Sequence, residues 1–131
     1  MSRPSLAALL TDFGPGSVYP AVMKGVMLGI APSAKIVDLA HGVPPGDVLK
    51  AAFTLMVGAP YFPNATVFVC VVDPGVGTPR KIIWAKSGER QFLAPDNGLL
   101  SWLEAGQAEF DEVRSVENSE LFKKPLSGTF H

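Results

Sequence analysis

The most strand-like segment of the chain is TVFVCVV, which spans Thr66–Val72. Five of its seven residues are Val or Thr, and the other two are Phe and Cys. β-branched and aromatic residues favour strands, and the lack of polar alternation is typical of a strand that is buried on both faces of a sheet. The segment therefore predicts a central strand.

The chain before this strand alternates between two patterns. Short apolar or β-rich runs predict strands at Leu6–Leu10 and Lys35–Leu39. Apolar residues recur every three or four positions across Tyr19–Ile30 and Val48–Val57, which predicts two helices. The order of elements is thus strand, helix, strand, helix, strand.

The chain after the central strand carries shorter elements. Ile82–Ala85 and Gln91–Leu93 predict two strands joined by a turn at Ser87–Gly88. Asn97–Gly98 predicts the start of a short helix with several apolar residues. The residues after Glu104 are more polar and predict no defined element.

This alternation predicts an α/β fold with a mainly parallel, Rossmann-like sheet and helices on both of its faces. The 131 residues are 47% hydrophobic and 18% charged, which suits a single domain over residues 1–131 with one buried core. In such folds ligands bind in a crevice outside the carboxyl ends of the strands, so we expect the functional residues there.

Charge and cysteine content restrict the partners and the compartment. The 11 Lys and Arg residues against 12 Asp and Glu give a formal net charge of −1, which disfavours nucleic acid and membrane surfaces as partners. Cys70 is the single cysteine, so no intramolecular disulfide or Cys-based metal site is expected, and a cytoplasmic location fits best. The N-terminus lacks a signal-peptide pattern, and the longest apolar stretch, Ala21–Ala31, is shorter than the ~20 residues that span a bilayer.

Polar residues follow three of the predicted strands: Asp12, His41 and the segment Asp73–Arg80. Asp12 is compatible with a carboxylate that binds a ribose diol and with a loop-capping residue. The tripeptide Asp12–Gly14 also matches the magnesium-binding motif of protein kinases, but no catalytic-loop motif precedes it, so that class is excluded. His41 fits a hydrogen-bonded loop residue better than a polar group of the crevice.

The segment Asp73–Arg80 contains two glycines, two prolines and an opposed pair of charges. Glycine permits close backbone approach and proline restricts the loop conformations, which suits a ligand-binding loop. The alternative is a structural turn with a surface ion pair worth about 0–1 kcal/mol. The segment matches neither the dinucleotide-binding nor the phosphate-loop motif. Pro95–Gly98 is best explained as a turn, and His131, the last residue, carries no catalytic signal of its own.

Six motifs occur in a fixed order along the chain: LTDFG at Leu10–Gly14, MKGV at Met23–Val26, VPPGD at Val43–Asp47, VDPGVGT at Val72–Thr78, APDNGLL at Ala94–Leu100 and TFH at Thr129–His131. Together they resemble the S-adenosylmethionine (SAM) hydroxide adenosyltransferases, which are adenosine-forming SAM hydrolases related to fluorinating and chlorinating enzymes. The resemblance runs from the first predicted strand to the last residue.

The resemblance implies an enzyme whose substrate is SAM and which uses no metal and no separate cofactor. It implies that Asp73, Arg80 and His131 form a triad that positions and activates a water molecule. It further implies that Asp12 binds the ribose hydroxyls and that Phe13 and Asn97 contact the substrate. The related halogenases lack the aspartate and the histidine at the positions of Asp73 and His131, so the pattern favours water as nucleophile.

Members of this family continue beyond the TFH motif with a Gly-Arg-Asp segment and a second, β-rich domain. They form homotrimers that bind the substrate between two subunits. Because the chain ends at His131, the expectation is a fragment that holds one half of the site. Two other functions stay open: a non-catalytic nucleoside-binding or oligomerisation module, and a halogenase-like enzyme that cleaves SAM with halide.

Overall fold

The computed structural model describes residues 6–74, 80–106, 108–118 and 120. These residues form a six-stranded sheet with the strand order β2-β1-β3-β5-β4-β6. The strands are β1 (Leu6–Thr11), β2 (Lys35–Ala40), β3 (Thr66–Val71), β4 (Ile82–Ser87), β5 (Arg90–Pro95) and β6 (Glu112–Val116). The helices are α1 (Tyr19–Ile30), α2 (Val48–Gly58) and α3 (Leu99–Ala105), and a short 3₁₀ turn, Ala59–Tyr61, follows α2.

Four neighbouring strands of the sheet are parallel. β1 pairs in parallel with β2 and with β3, and β3 pairs in parallel with β5. β4 runs antiparallel to both β5 and β6. The α/β prediction with a mainly parallel sheet is therefore confirmed, and β3 is central as the sequence predicts.

The helices cover both faces of the sheet. The crossover from β1 to β2 and the crossover from β2 to β3 step in opposite directions along the sheet. Because parallel crossovers are right-handed, α1 and α2 lie on opposite faces. α3 packs against α2 on the same face. The predicted bounds of α1 match the observed ones, and α2 ends one residue later than predicted.

The main core lies between the sheet and the pair α2 and α3. Four aromatic rings cross it in a row, with centroid distances of 5.5 Å from Phe62 to Phe68, 5.2 Å from Phe68 to Phe92 and 5.8 Å from Phe92 to Phe110. Phe68 is fully buried, and a fully buried Phe or Leu contributes about 1.5–3 kcal/mol. Such packing holds the carboxyl ends of β1, β3 and β5 in a fixed arrangement.

The structure differs from the sequence prediction at three places. β6 is unpredicted because Glu112, Arg114 and Ser115 break the apolar pattern; it is an edge strand held by its pairing with β4. β4 extends to Ser87, so the turn to β5 lies at Gly88–Glu89 rather than at Ser87–Gly88. The apolar residues that predict α1 stay largely exposed, since no described element covers them: Val22, Val26 and Ile30.

Cys70 lies in β3 and is buried, in agreement with its apolar surroundings in the sequence. Burial raises the pKa of its thiol to about 12, because the charged thiolate loses its hydration. Within the described ranges, no helix is long and apolar enough to cross a membrane.

Candidate functional site

Four parallel strands deliver polar residues to one edge of the sheet. Asp12 follows β1, His41 follows β2, Asp73 comes two residues after β3, and Asn97 comes two residues after β5. Parallel strands end at a common edge, which is where ligands bind in open α/β sheets. The structure thus places the sequence-predicted residues of the described segments at one edge.

Asp12 is half-buried and held by backbone groups. Its N–H donates to the carbonyl of Val71 across 3.3 Å, and its Oδ2 accepts from the N–H of Gly46 across 2.7 Å. Its second oxygen, Oδ1, has no hydrogen-bond partner among the residues that the structure describes. Asp12 therefore combines a fixed orientation with one oxygen that can accept from a ligand hydroxyl.

Gly46 joins the Asp12 loop to the loop after β3. Its φ of +75° lies in the left-handed region, which disfavours residues with a Cβ. A Cβ at Gly46 would lie 3.1 Å from Cβ of Pro74, the residue after Asp73. Asp12 and Asp73 are thus held by one packed group of loops.

Asp73 and Arg80 form a buried ion pair in which Nε of Arg80 donates to Oδ2 of Asp73. The side chain of Asp73 is 1% exposed and that of Arg80 is 16% exposed. The alternative of a surface ion pair, left open by the sequence, is therefore wrong. A charge removed from water needs its partner, and removing one member of such a pair costs about 3–5 kcal/mol.

Asn97 uses both ends of its side-chain amide within the fold. Nδ2 donates to the carbonyl of Val72 across 2.7 Å, and Oδ1 accepts from the N–H of Leu99 across 3.2 Å. Its own N–H donates to the carbonyl of Pro95, which confirms the predicted turn. Asn97 thereby fixes the chain next to Asp73, and its contact with a substrate stays a prediction.

Phe13 follows Asp12 and is half-buried. Its ring packs against that of Tyr19, at the start of α1, with a centroid distance of 5.3 Å and an interplanar angle of 51°. The two rings thus form an apolar pair at the start of α1, next in sequence to Asp12. The predicted contact of Phe13 with a substrate is compatible with this position and stays a prediction.

His41 is a hydrogen-bonded loop residue, as the sequence favours. Its Nδ1 lies 2.8 Å from Oγ1 of Thr11, and its Nε2 lies 2.7 Å from Oδ1 of Asp38. Nζ of Lys24 donates to the other oxygen of Asp38 across 2.7 Å. The hydrogen bond from Lys24, and to a smaller extent the one from His41, holds the pKa of Asp38 below its usual value.

Three members of this network, Thr11, Asp38 and Lys24, are absent from the sequence-based set of site residues. A charged residue within a strand and a lysine within an otherwise apolar helix are the signals that could have indicated Asp38 and Lys24. His131 and residues 75–79 of the loop after β3 lie outside the described residues. Across the described segments, no group of three His, Cys, Asp or Glu side chains is arranged to hold a metal ion.

Comparison with protein families gives a match to the SAM hydroxide adenosyltransferase N-terminal domain over residues 7–131. The chain belongs to the SAM hydroxide adenosyltransferase family. This membership agrees with the six sequence motifs and with the α/β sheet. Asp12, Asp73 and Asn97 all lie within the matched N-terminal domain.

Individual proteins of known name or structure are similar to this chain. An (R)-S-adenosyl-L-methionine hydrolase of Salinispora arenicola is 40% identical over 121 residues, which cover 92% of this chain and 46% of that protein. A protein of the same name from Thermus thermophilus is 47% identical over 96 residues, covering 72% of this chain and 37% of the relative.

A crystal structure of an uncharacterized conserved protein from Thermotoga maritima matches with a TM-score of 0.89 and 46% identity. That match covers 95% of this chain and 49% of the crystallised chain. The chain thus spans about half the length of the curated relatives it matches.

Proposed function

We propose that the full-length protein hydrolyses SAM to adenosine and methionine. The observation that carries this proposal is the buried Asp73–Arg80 ion pair at the ligand-binding edge of a SAM hydroxide adenosyltransferase domain. The relatives named (R)-S-adenosyl-L-methionine hydrolase support the same reaction. A water-activating carboxylate with a fixed cationic partner is what this chemistry requires.

In the proposed reaction, a water oxygen attacks C5′ of the substrate and displaces methionine. A carbon–oxygen bond forms, the C5′–sulfur bond breaks with its electron pair going to sulfur, and one water proton passes to a base. The cationic sulfonium becomes a neutral thioether, so the charges of an oxygen nucleophile and of the substrate are dispersed in the transition state. A pocket that excludes water therefore favours the reaction.

Asp73, Arg80 and His131 are the proposed catalytic residues. Asp73, or His131 in its neutral form, accepts the proton or orients the water, and Arg80 holds Asp73 in place. The burial of Asp73 and its contact with Nε of Arg80 support this role. The proposed reaction needs no metal ion and no separate cofactor.

The proposed substrate contacts come from Asp12, Phe13 and Asn97. Oδ1 of Asp12 would accept from the ribose hydroxyls, since Oδ2 is already held by Gly46. Phe13 would contact an apolar part of the substrate. Asn97 would contact the substrate while the same amide group holds the chain at Val72 and Leu99.

We further propose a homotrimeric, cytoplasmic protein whose site is completed by residues outside this chain, with neither nucleic acid nor membrane as partner. The exposed apolar side chains on α1 support an assembly that covers them: Val22, Val26, Leu28 and Ile30. A chain that spans about half the length of its relatives is consistent with a site shared between two parts of the protein.

The proposed function is tested by the reaction of the full-length protein with SAM in oxygen-18 water. We expect adenosine as product with the label in its 5′-hydroxyl group, and no competition by chloride or fluoride. His131→Ala should abolish most turnover. A 5′-halo-adenosine as main product would instead establish a halogenase, and SAM binding without cleavage would establish a nucleoside-binding module.

A further inference from the structure

The loop that carries Asp12 takes its shape from two residues that do not face the proposed substrate. The N–H of Phe13 donates to Oγ1 of Thr11 across 3.3 Å, and the N–H of Gly14 donates to the carbonyl of His41 across 2.9 Å. The N–H of Asp12 is bound to Val71 on the neighbouring strand. All three successive N–H groups of the loop are therefore engaged, and two of them depend on Thr11 and His41.

Thr11 and His41 belong to a continuous chain of side-chain hydrogen bonds. The chain runs from Thr11 through His41 to Asp38 and ends at Lys24, with successive distances of 2.8, 2.7 and 2.7 Å. It starts at a fully buried hydroxyl and ends on partly exposed charges. It thereby connects the Asp12 loop with helix α1.

The donors in this chain have a defined direction. An ionised Asp38 only accepts, so Nε2 of His41 carries the proton that points to it. With the proton on Nε2 alone, Nδ1 accepts from the hydroxyl of Thr11. This leaves a lone pair of Thr11 Oγ1 to accept from the N–H of Phe13.

We propose that Lys24, Asp38, His41 and Thr11 form a positioning relay that fixes the Asp12 loop for the ribose of the substrate. This role rests on the proposed function. None of the four belongs to the proposed triad or to the proposed substrate contacts, so we assign them as positioning residues. In the proposed reaction Asp12 binds the ribose equally in the ground state and in the transition state. Disturbing the relay should therefore raise KM and leave kcat nearly unchanged.

The decisive variant is Thr11→Val, which keeps the shape of the side chain and removes the hydroxyl. In the full-length protein we expect KM for SAM to rise about tenfold, while kcat stays within about twofold. Thr11→Ser restores the hydroxyl and should restore KM.

Thr66→Val is the matched control, because Thr66 is equally buried and its Oγ1 donates to the carbonyl of Pro63 across 2.6 Å at the other end of the sheet. It should lose comparable stability and leave KM unchanged. Equal KM values for Thr11→Val and Thr66→Val would overturn the relay.

The far end of the relay is tested by Lys24→Met, with Lys50→Met as the control. Lys50 lies on α2 and contacts the ring of Phe53 rather than the relay. Lys24→Met should raise KM severalfold, and Lys24→Arg should reverse the rise. An unchanged KM in Lys24→Met would show that the relay does not reach α1.

Hydrogen–deuterium exchange of the peptide that contains Phe13 and Gly14 separates this inference from the proposed function. We expect faster exchange in Thr11→Val and unchanged exchange in Thr66→Val, whether or not SAM is cleaved. A wild-type protein that releases no adenosine would overturn the proposed function, and the exchange data alone would then decide the relay. Unaltered exchange of this peptide in Thr11→Val would overturn the relay.

Discussion

The backbone N–H of Gly46 donates to Oδ2 of Asp12 across 2.7 Å, so the carboxylate after β1 takes its orientation from the loop after β2. The same glycine has a φ of +75° and packs against Pro74. One residue without a side chain thus contacts both Asp12 and the residue that follows Asp73.

Gly46→Ala should weaken SAM binding in the full-length protein about tenfold. The new Cβ would lie 3.1 Å from Cβ of Pro74, so the two loops must move apart by a few tenths of an ångström, which disturbs the N–H that orients Asp12. Gly88→Ala is the control, because Gly88 also has a positive φ but a Cβ there meets nothing within 4 Å. Calorimetry should show weaker binding for the first variant alone; equal affinities would contradict this role of Gly46.

Asp73→Asn should lower the turnover number far more than it raises KM, because the charge of Asp73 is needed in the transition state. It should also lower the free energy of unfolding by about 3 kcal/mol, since Arg80 is left without its buried counter-charge. Glu112→Gln breaks the exposed ion pair with Arg114 and should cost less than about 1 kcal/mol. Steady-state kinetics and urea unfolding provide both measurements, and near-wild-type turnover in Asp73→Asn would remove Asp73 from catalysis.

The Asp38 carboxylate should stabilise the fold only above a low pH. The hydrogen bonds from Lys24 and His41 lower its folded-state pKa below the ordinary value of an aspartate. Its contribution is therefore present above that value and is lost as the pH falls through the lower folded-state pKa. Lys24→Met should raise the pKa of Asp38 in a carboxyl-carbon NMR titration, whereas Lys50→Met should not. An identical titration curve in Lys24→Met would contradict the ion pair.

Cys70 should be inert in the native protein. Burial raises its pKa to about 12, so almost no thiolate exists at pH 8. The buried sulfur is also out of reach of a disulfide reagent. We expect slow labelling in buffer and rapid labelling in guanidinium chloride, where β3 is unfolded. Rapid labelling in buffer would show that β3 opens under native conditions.

The elements of this fold were predictable where a local pattern determines them. The spacing of Val22, Val26 and Ile30 sets the bounds of α1, and the unbroken apolar run at Thr66–Val71 places β3 at the centre. β6 was not predictable, because polar residues dominate it and no apolar run or clear alternation marks it as a strand. Its conformation comes from pairing with β4. Local sequence carries little information about a strand that is defined by its neighbour.

The positions of several candidate residues at one edge of the sheet were predictable from the sequence, and the contacts between them were not. The positions of Asp12, Asp73 and Asn97 follow from the ends of strands and from the family motifs. The bond between Thr11 and His41 joins residues 30 positions apart, and its existence depends on the parallel register of β1 and β2. The burial of the Asp73–Arg80 pair likewise depends on how the loops pack together, which no local pattern reports.

The strand order makes the Asp73–Arg80 pair a link between distant parts of the sheet. β5 lies between β3 and β4, so the ion pair bridges two strands that are not neighbours. Strands in a sheet are about 4.8 Å apart, which separates β3 from β4 by roughly 10 Å. Arg80 lies two residues before β4 and its Nε reaches Asp73, so the length of its side chain matters to the pair as well as its charge. A shorter cation at position 80 would weaken this contact, and with it the electrostatic link between the β4–β5 hairpin and the centre of the sheet.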